Sequence, residues 1–266
     1  MTSTGTGADR FPAGTFTPDP RPAAPWRMLA TQARIETLLF LRHGEQQLLS
    51  LVIPVALLIA MSLVPVVPLD DPVQQVYPMT VGIALMSAGF TGQSIAVAFD
   101  RRYGALKRIG ASGVPKWALI GGKVAAVLAA VVVQLIILSI IGLLLGWRPD
   151  ATGFLAAVVF LAVGVFTFTS LGLLLGGTLG SDVVLALGNT VWFLFMGASV
   201  VTVIDQDLPS AARDVLELLP SVALTDGLVD ASAGSFNLAG LIVLLVWGVV
   251  ASTLAVRRFS FTMDDD

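Results

Sequence analysis

Six long apolar runs dominate the hydrophobic pattern of the chain, and each is long enough to cross a membrane. A spanning helix needs about 20 mostly apolar residues, and its backbone must satisfy its own hydrogen bonds within lipid. The pattern therefore predicts an all-α polytopic membrane protein with six transmembrane helices. The predicted spans are residues 48–67, 79–99, 117–145, 154–179, 183–204 and 238–256.

The segment before the first span divides into a tail and an amphipathic helix. Residues 1–25 are rich in Thr, Gly, Ala and Pro and lack the apolar run of a signal peptide, so we expect a disordered cytoplasmic tail. Residues 26–44 predict an interfacial helix along the membrane surface. The alternative is a plain cytoplasmic extension of the first span. The apolar stripe of the predicted interfacial helix contains Trp26, Leu29, Ala33 and Phe40. Its polar stripe contains Arg27, Thr31 and Arg34.

Basic residues are distributed very unevenly between the two sets of loops. With the N-terminus inside, the inner segments hold thirteen of the fifteen Lys and Arg residues. The outer segments hold only Arg148 and Arg213, together with nine acidic residues. Because cytoplasmic loops are enriched in Lys and Arg, we expect both termini in the cytoplasm, including the acidic tail at 259–266.

Composition argues against several classes of function. Of the 266 residues, 56% are hydrophobic and 12% are charged, and the net charge of −3 argues against nucleic-acid binding. With no cysteine, one histidine and no acidic residue in any span, the sequence predicts no metal, cofactor or catalytic cluster there. Lys123 is the one charge within a span, and we expect its amine to reach water at the inner boundary. No phosphate loop is present, so uphill transport would need another subunit.

The inner loop at residues 100–116 combines five basic residues with a short apolar pattern. Leu106 and Ile109 lie three residues apart, between the charges. A short amphipathic turn here would expose an apolar knob with a basic rim, which suits docking on a partner protein. The alternative is that the basic residues only hold the loop inside.

The outer segment at residues 205–237 is much longer than the other loops and is divided by Pro220. Proline ends any helix that runs through it. Pro209 stands near the start of the segment, and Leu216 and Leu219 form an apolar pair before the break. The pattern predicts two short helical pieces before the last span, and an ordinary loop with surface helices is the alternative.

The stretch 99–123 resembles a loop of ABC-2 type permeases, the membrane subunits of ATP-driven exporters. In that family, a Gly, a small residue and Leu follow the second span, before a turn with Pro or Ser and a Lys in the third span. The matching positions here are Gly104-Ala105-Leu106, Pro115 and Lys123. Arg102 and Tyr103 stand where the family often has an acid.

The resemblance implies a second permease chain, identical or paralogous, and cytoplasmic ATPase subunits, at the plasma membrane of a bacterium. It assigns the interfacial helix and inner loop to ATPase coupling, and the outer segment to a re-entrant helical hairpin that acts as a gate. The implied coupling residues are Arg27, Arg34, Arg101, Arg102, Tyr103, Gly104, Leu106, Lys107, Arg108 and Ile109. The implied gate residues are Pro209, Leu216, Leu219 and Pro220.

Gly172, Gly176 and Gly180 are four residues apart, which predicts one small-residue face on the fourth span. Such a face allows helices to approach closely. It is interpreted as a packing surface within one subunit, with a dimer or gate interface as the alternative.

The leading functional hypothesis is an exporter permease. Its nearly uncharged spans suggest a lipophilic or amphipathic cargo, such as a drug or lipid. The alternative is a stand-alone secondary carrier or a non-transporting membrane scaffold. A membrane enzyme is disfavoured, because the sequence offers no converging catalytic set.

Overall fold

The computed structural model describes residues 23–42, 44–64, 71–111, 113–205 and 207–258. Within these ranges every regular element is a helix, so the all-α prediction is confirmed. Most of the predicted tail at 1–25, and all of the acidic tail at 259–266, lie outside the described residues.

The helices follow one another through short connections. The first six are α1 Pro25–Arg42, α2 Gly44–Leu63, α3 Pro72–Met86, α4 Gln93–Arg102, α5 Ala105–Ala111 and α6 Lys116–Leu144. The others are α7 Phe154–Thr178, α8 Ser181–Ile204, α9 Ser210–Glu217, α10 Pro220–Ser232 and α11 Leu238–Arg258. A π-helical turn at Ser87–Gly92 joins α3 to α4, and together they form one central rod, Pro72–Arg102.

Among the described residues, five helical segments are long and apolar enough to cross a membrane, and they make the chain a multi-pass membrane protein. They are Pro72–Arg102, Trp117–Leu144, Phe154–Thr178, Ser181–Ile204 and Leu238–Arg258. They correspond to the predicted second to sixth spans. In the first predicted span, the described apolar helix Leu51–Leu63 rises about 20 Å, less than the ~30 Å of hydrocarbon. Residues 65–67 of that prediction lie outside the described residues.

The central rod is longer than the span predicted at 79–99. The prediction began after the polar residues Gln74 and Gln75 and stopped before Asp100, because polar groups are costly in lipid. In the fold, 83% of the apolar window of the rod is buried inside the protein. Neighbouring helices surround this window, and Gln74, Gln75 and Asp100 near the ends of the rod are half-buried.

Large apolar side chains pack around the central rod. Because lipid is as apolar as these side chains, close packing holds the helices together. Fully buried examples are Met79, Ile83 and Met86 of the rod, Phe160 and Phe168 of α7, and Leu224 of α10. The outward faces of α6, α8 and α11 also remain apolar. Ile136, Leu194 and Val246 are each more than half exposed, as expected for contact with lipid or another membrane chain.

Candidate functional site

Helix α1 packs along the first part of α6. Gln32 is buried and lies directly against Gly122, where a Cβ would come within 2.6 Å of Gln32 Cγ. Leu29 lies in the same way over Gly121. Trp26 remains 66% exposed, so α1 is attached to the bundle by the face that contains Gln32.

The buried ammonium group of Lys123 joins three helices. Lys123 is 2% exposed, and its Nζ lies 2.9 Å from Asp100 Oδ2 on α4 and 3.3 Å from Glu36 Oε2 on α1. Glu36 also accepts a hydrogen bond of 3.0 Å from Gln32 Nε2. The expectation that Lys123 reaches water is therefore wrong. The two carboxylates stabilise the charge in place of water, and we call these three charged residues the Lys123 junction.

Arg101 is buried and caps the C-terminal end of α7. Its Nη1 donates to Gly176 O at 3.0 Å and to Leu179 O at 2.9 Å. The last carbonyl groups of a helix lack partners within the helix and carry partial negative charge, so a cation is favourable there. A direct contact of Arg101 with an ATPase would need an exposed side chain, and Arg101 is only 7% exposed. The predicted part of Arg101 in ATPase coupling therefore stays a prediction, and it would act through α7 and not through direct contact.

Arg102 contacts the start of α8, where its Nη1 donates to Ser181 Oγ at 3.0 Å and to Asp182 Oδ1 at 2.9 Å. Successive helical residues point about 100° apart. Asp100, Arg101 and Arg102 therefore extend in different directions from the end of α4, to α6, α7 and α8 respectively. We call these three residues the hub.

Helix α5 lies within the predicted inner loop and follows a turn at Gly104. Gly104 has φ of +68°, a left-handed conformation that would strain any side chain. Leu106 is fully buried and packs with Val97 and Leu119, and Ile109 lies against the same cluster. The predicted exposed apolar knob is therefore wrong, because Leu106 anchors α5 to the bundle.

Other implied coupling residues are exposed. Tyr103 is 69% exposed, and Lys107 and Arg108 also face outward. Arg108 Nη2 donates to Tyr103 O at 3.2 Å, which holds these two residues together. We call Tyr103, Lys107 and Arg108 the basic face. On α1, Arg27 and Arg34 are exposed as well.

Gly172 and Gly176 bring α7 into close contact with the central rod. A Cβ at Gly172 would lie 2.6 Å from Gly89 O, and one at Gly176 would overlap the backbone of Ser94. These two glycines thus pack helices within one subunit. Gly180 is exposed, follows the end of α7 and has no atom within 4 Å of a Cβ placed there. The prediction that all three glycines share one helical face is wrong, because α7 ends before Gly180.

The predicted outer segment contains two helices, as expected. Pro209 precedes α9, and Pro220 is the first residue of α10, where its fixed φ suits the first helical turn. None of the residues of α9 is buried, whereas α10 is largely buried against α3, α7, α8 and α11. Leu216 and Leu219 are half-buried.

A polar cavity of about 400 Å³ lies where α3, α8, α9 and α10 meet, and we call it the outer cavity. Asp226 Oδ1 accepts a hydrogen bond from Thr202 Oγ1 at 3.4 Å. Arg213 Nη2 donates to Thr202 O at 3.3 Å. The lining residues are Gln75, Thr202, Val203, Arg213, Glu217, Asp226, Val229, Asp230 and Asn237.

The carboxyl group of Asp226 has an unusual environment for an acid. Its pKa is raised from 3.8 to about 6, chiefly by burial, and the positive charge of Arg213 opposes this rise. The carboxylates of Asp230 and Glu217 contribute to the rise, and the hydrogen bond from Thr202 acts against it. Among the described residues, no three acidic or histidine side chains are arranged to hold a metal ion.

A family model described as ABC-2 family transporter protein matches residues 67–257. The match includes the central rod, α5, the outer segment and the four later spanning helices, which is most of the chain. The chain belongs to the ABC-2 transporter family. No curated protein matches it in sequence. Members of this family are membrane permeases of ABC transporters, typically non-catalytic, and the family implies association with ABC ATPases.

Sequence reasoning missed several polar residues of this ABC-2 permease. A single Lys in an apolar span needs counter-charges, and this signal could have led to Glu36 and Asp100. Asp226 follows the apolar residues 222–224, which could have marked it as a buried acid. The partners of Arg101 carry no sequence signal, because they are backbone carbonyl groups.

Proposed function

We propose that this permease is the transmembrane subunit of an ABC exporter in the plasma membrane of a bacterium. It moves a lipophilic or amphipathic cargo, a drug or a lipid, with ATP hydrolysed on a separate subunit. The family match, the apolar spanning helices and the lack of a phosphate loop in the sequence support this function. Two permease chains, identical or paralogous, assemble with cytoplasmic ATPase subunits.

In this proposal both termini are cytoplasmic, α2 is the first of six spans, and α1 lies at the inner membrane surface. The unequal distribution of Lys and Arg supports the orientation. Helices α9 and α10 form a re-entrant hairpin, with Pro209, Leu216, Leu219 and Pro220 at an outer gate. The burial of α10 among the spanning helices supports the hairpin.

The observation that carries the coupling mechanism is the hub at the end of α4. Helix α5 and the preceding Tyr103 offer the basic face to an ATPase, while Leu106 fixes α5 on the bundle. A displacement of α5 therefore moves the end of the central rod. The ion pairs and hydrogen bonds of the hub transmit this displacement to α6, α7 and α8.

The central rod extends from the hub to the outer cavity, where Gln75 is part of the lining. Its π-helical turn at Ser87–Gly92 interrupts the regular hydrogen-bond pattern, and such turns often occur at functional sites. In the proposed mechanism the rod bends at this turn and changes the packing of α10, which lies against α3.

The test is reconstitution with the phosphate-loop ATPase that co-purifies with the chain from native membranes in mild detergent. The double variant Lys107→Glu and Arg108→Glu is expected to lower ATPase recovery and ATP-dependent dye uptake into vesicles about tenfold, because it reverses the charge of a docking surface. Arg148→Glu is the matched control, since Arg148 is exposed in a predicted outer loop. It is expected to leave both quantities unchanged.

An equal loss in Arg148→Glu would contradict docking at the basic face. Dye transport driven by an ion gradient, with no ATPase present, would contradict the exporter function and favour a secondary carrier.

A further inference from the structure

The outer cavity carries more negative than positive charge. Glu217, Asp226 and Asp230 supply three carboxylates, and Arg213 supplies one guanidinium. Asp230 is held in place because its Oδ2 accepts a hydrogen bond of 2.9 Å from Asn237 Nδ2. A cavity with this charge favours cationic ligands over neutral or anionic ones.

Arg213 shows that the cavity already accepts a cation with N–H donors. Its guanidinium donates to Thr202 O at 3.3 Å and lies 3.9 Å from Glu217 Oε1. Both distances exceed the ~2.7–2.9 Å of strong charge-assisted hydrogen bonds, so Arg213 is held weakly. Arg213 belongs to α9, which has no buried residue, so its displacement from the cavity breaks little packing.

The size and lining of the cavity suit an organic cation. A volume of about 400 Å³ lies within the range of small-molecule sites, about 300–1,000 Å³. Val203 and Val229 add apolar wall to the polar lining. The acidic side chains of the described residues do not converge in the way that a metal ion requires.

We propose that the outer cavity binds a small organic ammonium or amidinium ion, with Asp226 and Asp230 as its carboxylate acceptors. The ligand displaces the guanidinium of Arg213, so Arg213 acts as a built-in competitor and α9 as the segment that moves. The site binds its ligand in the permease alone, whether or not the chain exports anything.

The test uses the purified permease in lipid nanodiscs without an ATPase. Calorimetric titration with benzylammonium and benzamidinium is expected to show saturable binding, and benzyl alcohol, a neutral compound of similar shape, is expected to bind at least about tenfold more weakly. Asp226→Asn and Asp230→Asn are expected to weaken binding of both cations about tenfold. Arg213→Gln is expected to strengthen the binding of both cations, because it removes the competing guanidinium group.

Asp214→Asn is the matched control, since Asp214 is an exposed acid on α9 that does not line the cavity. The Asp214→Asn variant is expected to bind both cations with the affinity of the parent protein. Thermal melting checks that each variant is folded. Because burial raises the pKa of Asp226 to about 6, with Arg213, Glu217 and Asp230 as its charged neighbours, affinity is also expected to fall as the pH is lowered through 6. In Asp226→Asn that fall is expected to disappear.

Three outcomes overturn the proposal: no saturable binding of either cation, equal binding of benzyl alcohol, or an equal loss in Asp214→Asn. The assay contains no ATP and no partner, so these outcomes leave the exporter function to its own experiment.

Discussion

At the scale of single residues, Lys123 organises three helices because a buried charge cannot be left without a counter-charge. Its side chain is 3% exposed, compared with 13% for Glu36 and 39% for Asp100. The two carboxylates of the Lys123 junction are thus more exposed to solvent than its ammonium group. This arrangement fixes α1 and α4 on α6 more specifically than apolar packing would.

Lys123→Met is expected to destabilise the permease by about 3 kcal/mol, because two partly buried carboxylates lose their partner. The measurement is the unfolding free energy in detergent micelles. The triple variant Lys123→Met, Glu36→Gln and Asp100→Asn is the control, and it is expected to recover most of the loss. A triple variant as unstable as Lys123→Met would show that the junction acts through packing and not through charge.

Asp226 is expected to make stability depend on pH. Its pKa is raised from 3.8 to about 6 in the folded chain, so its contribution to stability is full below 3.8 and is lost as the pH rises through about 6. Asp226→Asn is therefore expected to be more stable than the parent by on the order of 2 kcal/mol at neutral pH, and similar to it in acid. The measurement is thermal melting as a function of pH, and parallel curves for the two proteins would refute the prediction.

At the scale of helices, α5 combines an anchor with an exposed surface. The sequence predicted its amphipathic character but assigned the apolar side to a partner. The structure places that side on the permease itself, because Val97 of α4 and Leu119 of α6 provide a closed apolar site for Leu106.

Leu106→Asp is expected to destabilise the permease by more than about 3 kcal/mol, because it buries a charge without a partner. Tyr103→Asp introduces the same charge at an exposed position and is expected to preserve stability while weakening ATPase recovery. Expression level and thermal melting measure stability. Equal melting temperatures for the two variants would mean that Leu106 does not anchor α5.

Helix α7 depends on small residues where it crosses the central rod. Gly176→Leu is expected to cost at least about 2 kcal/mol, because its side chain overlaps the backbone of Ser94 and forces the helices apart. Gly180→Leu adds the same side chain at an exposed position with no neighbouring atoms, and it is expected to change stability little. Thermal melting of both variants compares the two sites, and an equal effect would rule out close packing as the role of Gly176.

At the scale of the whole molecule, orientation in the membrane is the property on which the coupling mechanism depends. The chain has no cysteine, so single cysteines report it cleanly. Ser235→Cys and Ala111→Cys are suitable because both positions are exposed. A membrane-impermeant maleimide is expected to label Ser235→Cys in intact cells, and Ala111→Cys only after the cells are opened. The reverse result would place the hub outside and exclude an ATPase partner there.

The sequence by itself determined the all-α architecture, the positions of five spanning helices and the break at Pro220. These features depend on local composition, because lipid admits only long apolar helices and proline admits only certain helical positions. Only the tertiary structure decided which charges meet, which face of α5 is buried, and where α10 lies. The partners of Lys123 are 23 and 87 residues away, and one partner of Arg101 is 75 residues away. Contacts over such separations arise from which helices become neighbours, and that depends on the shapes of whole packed surfaces.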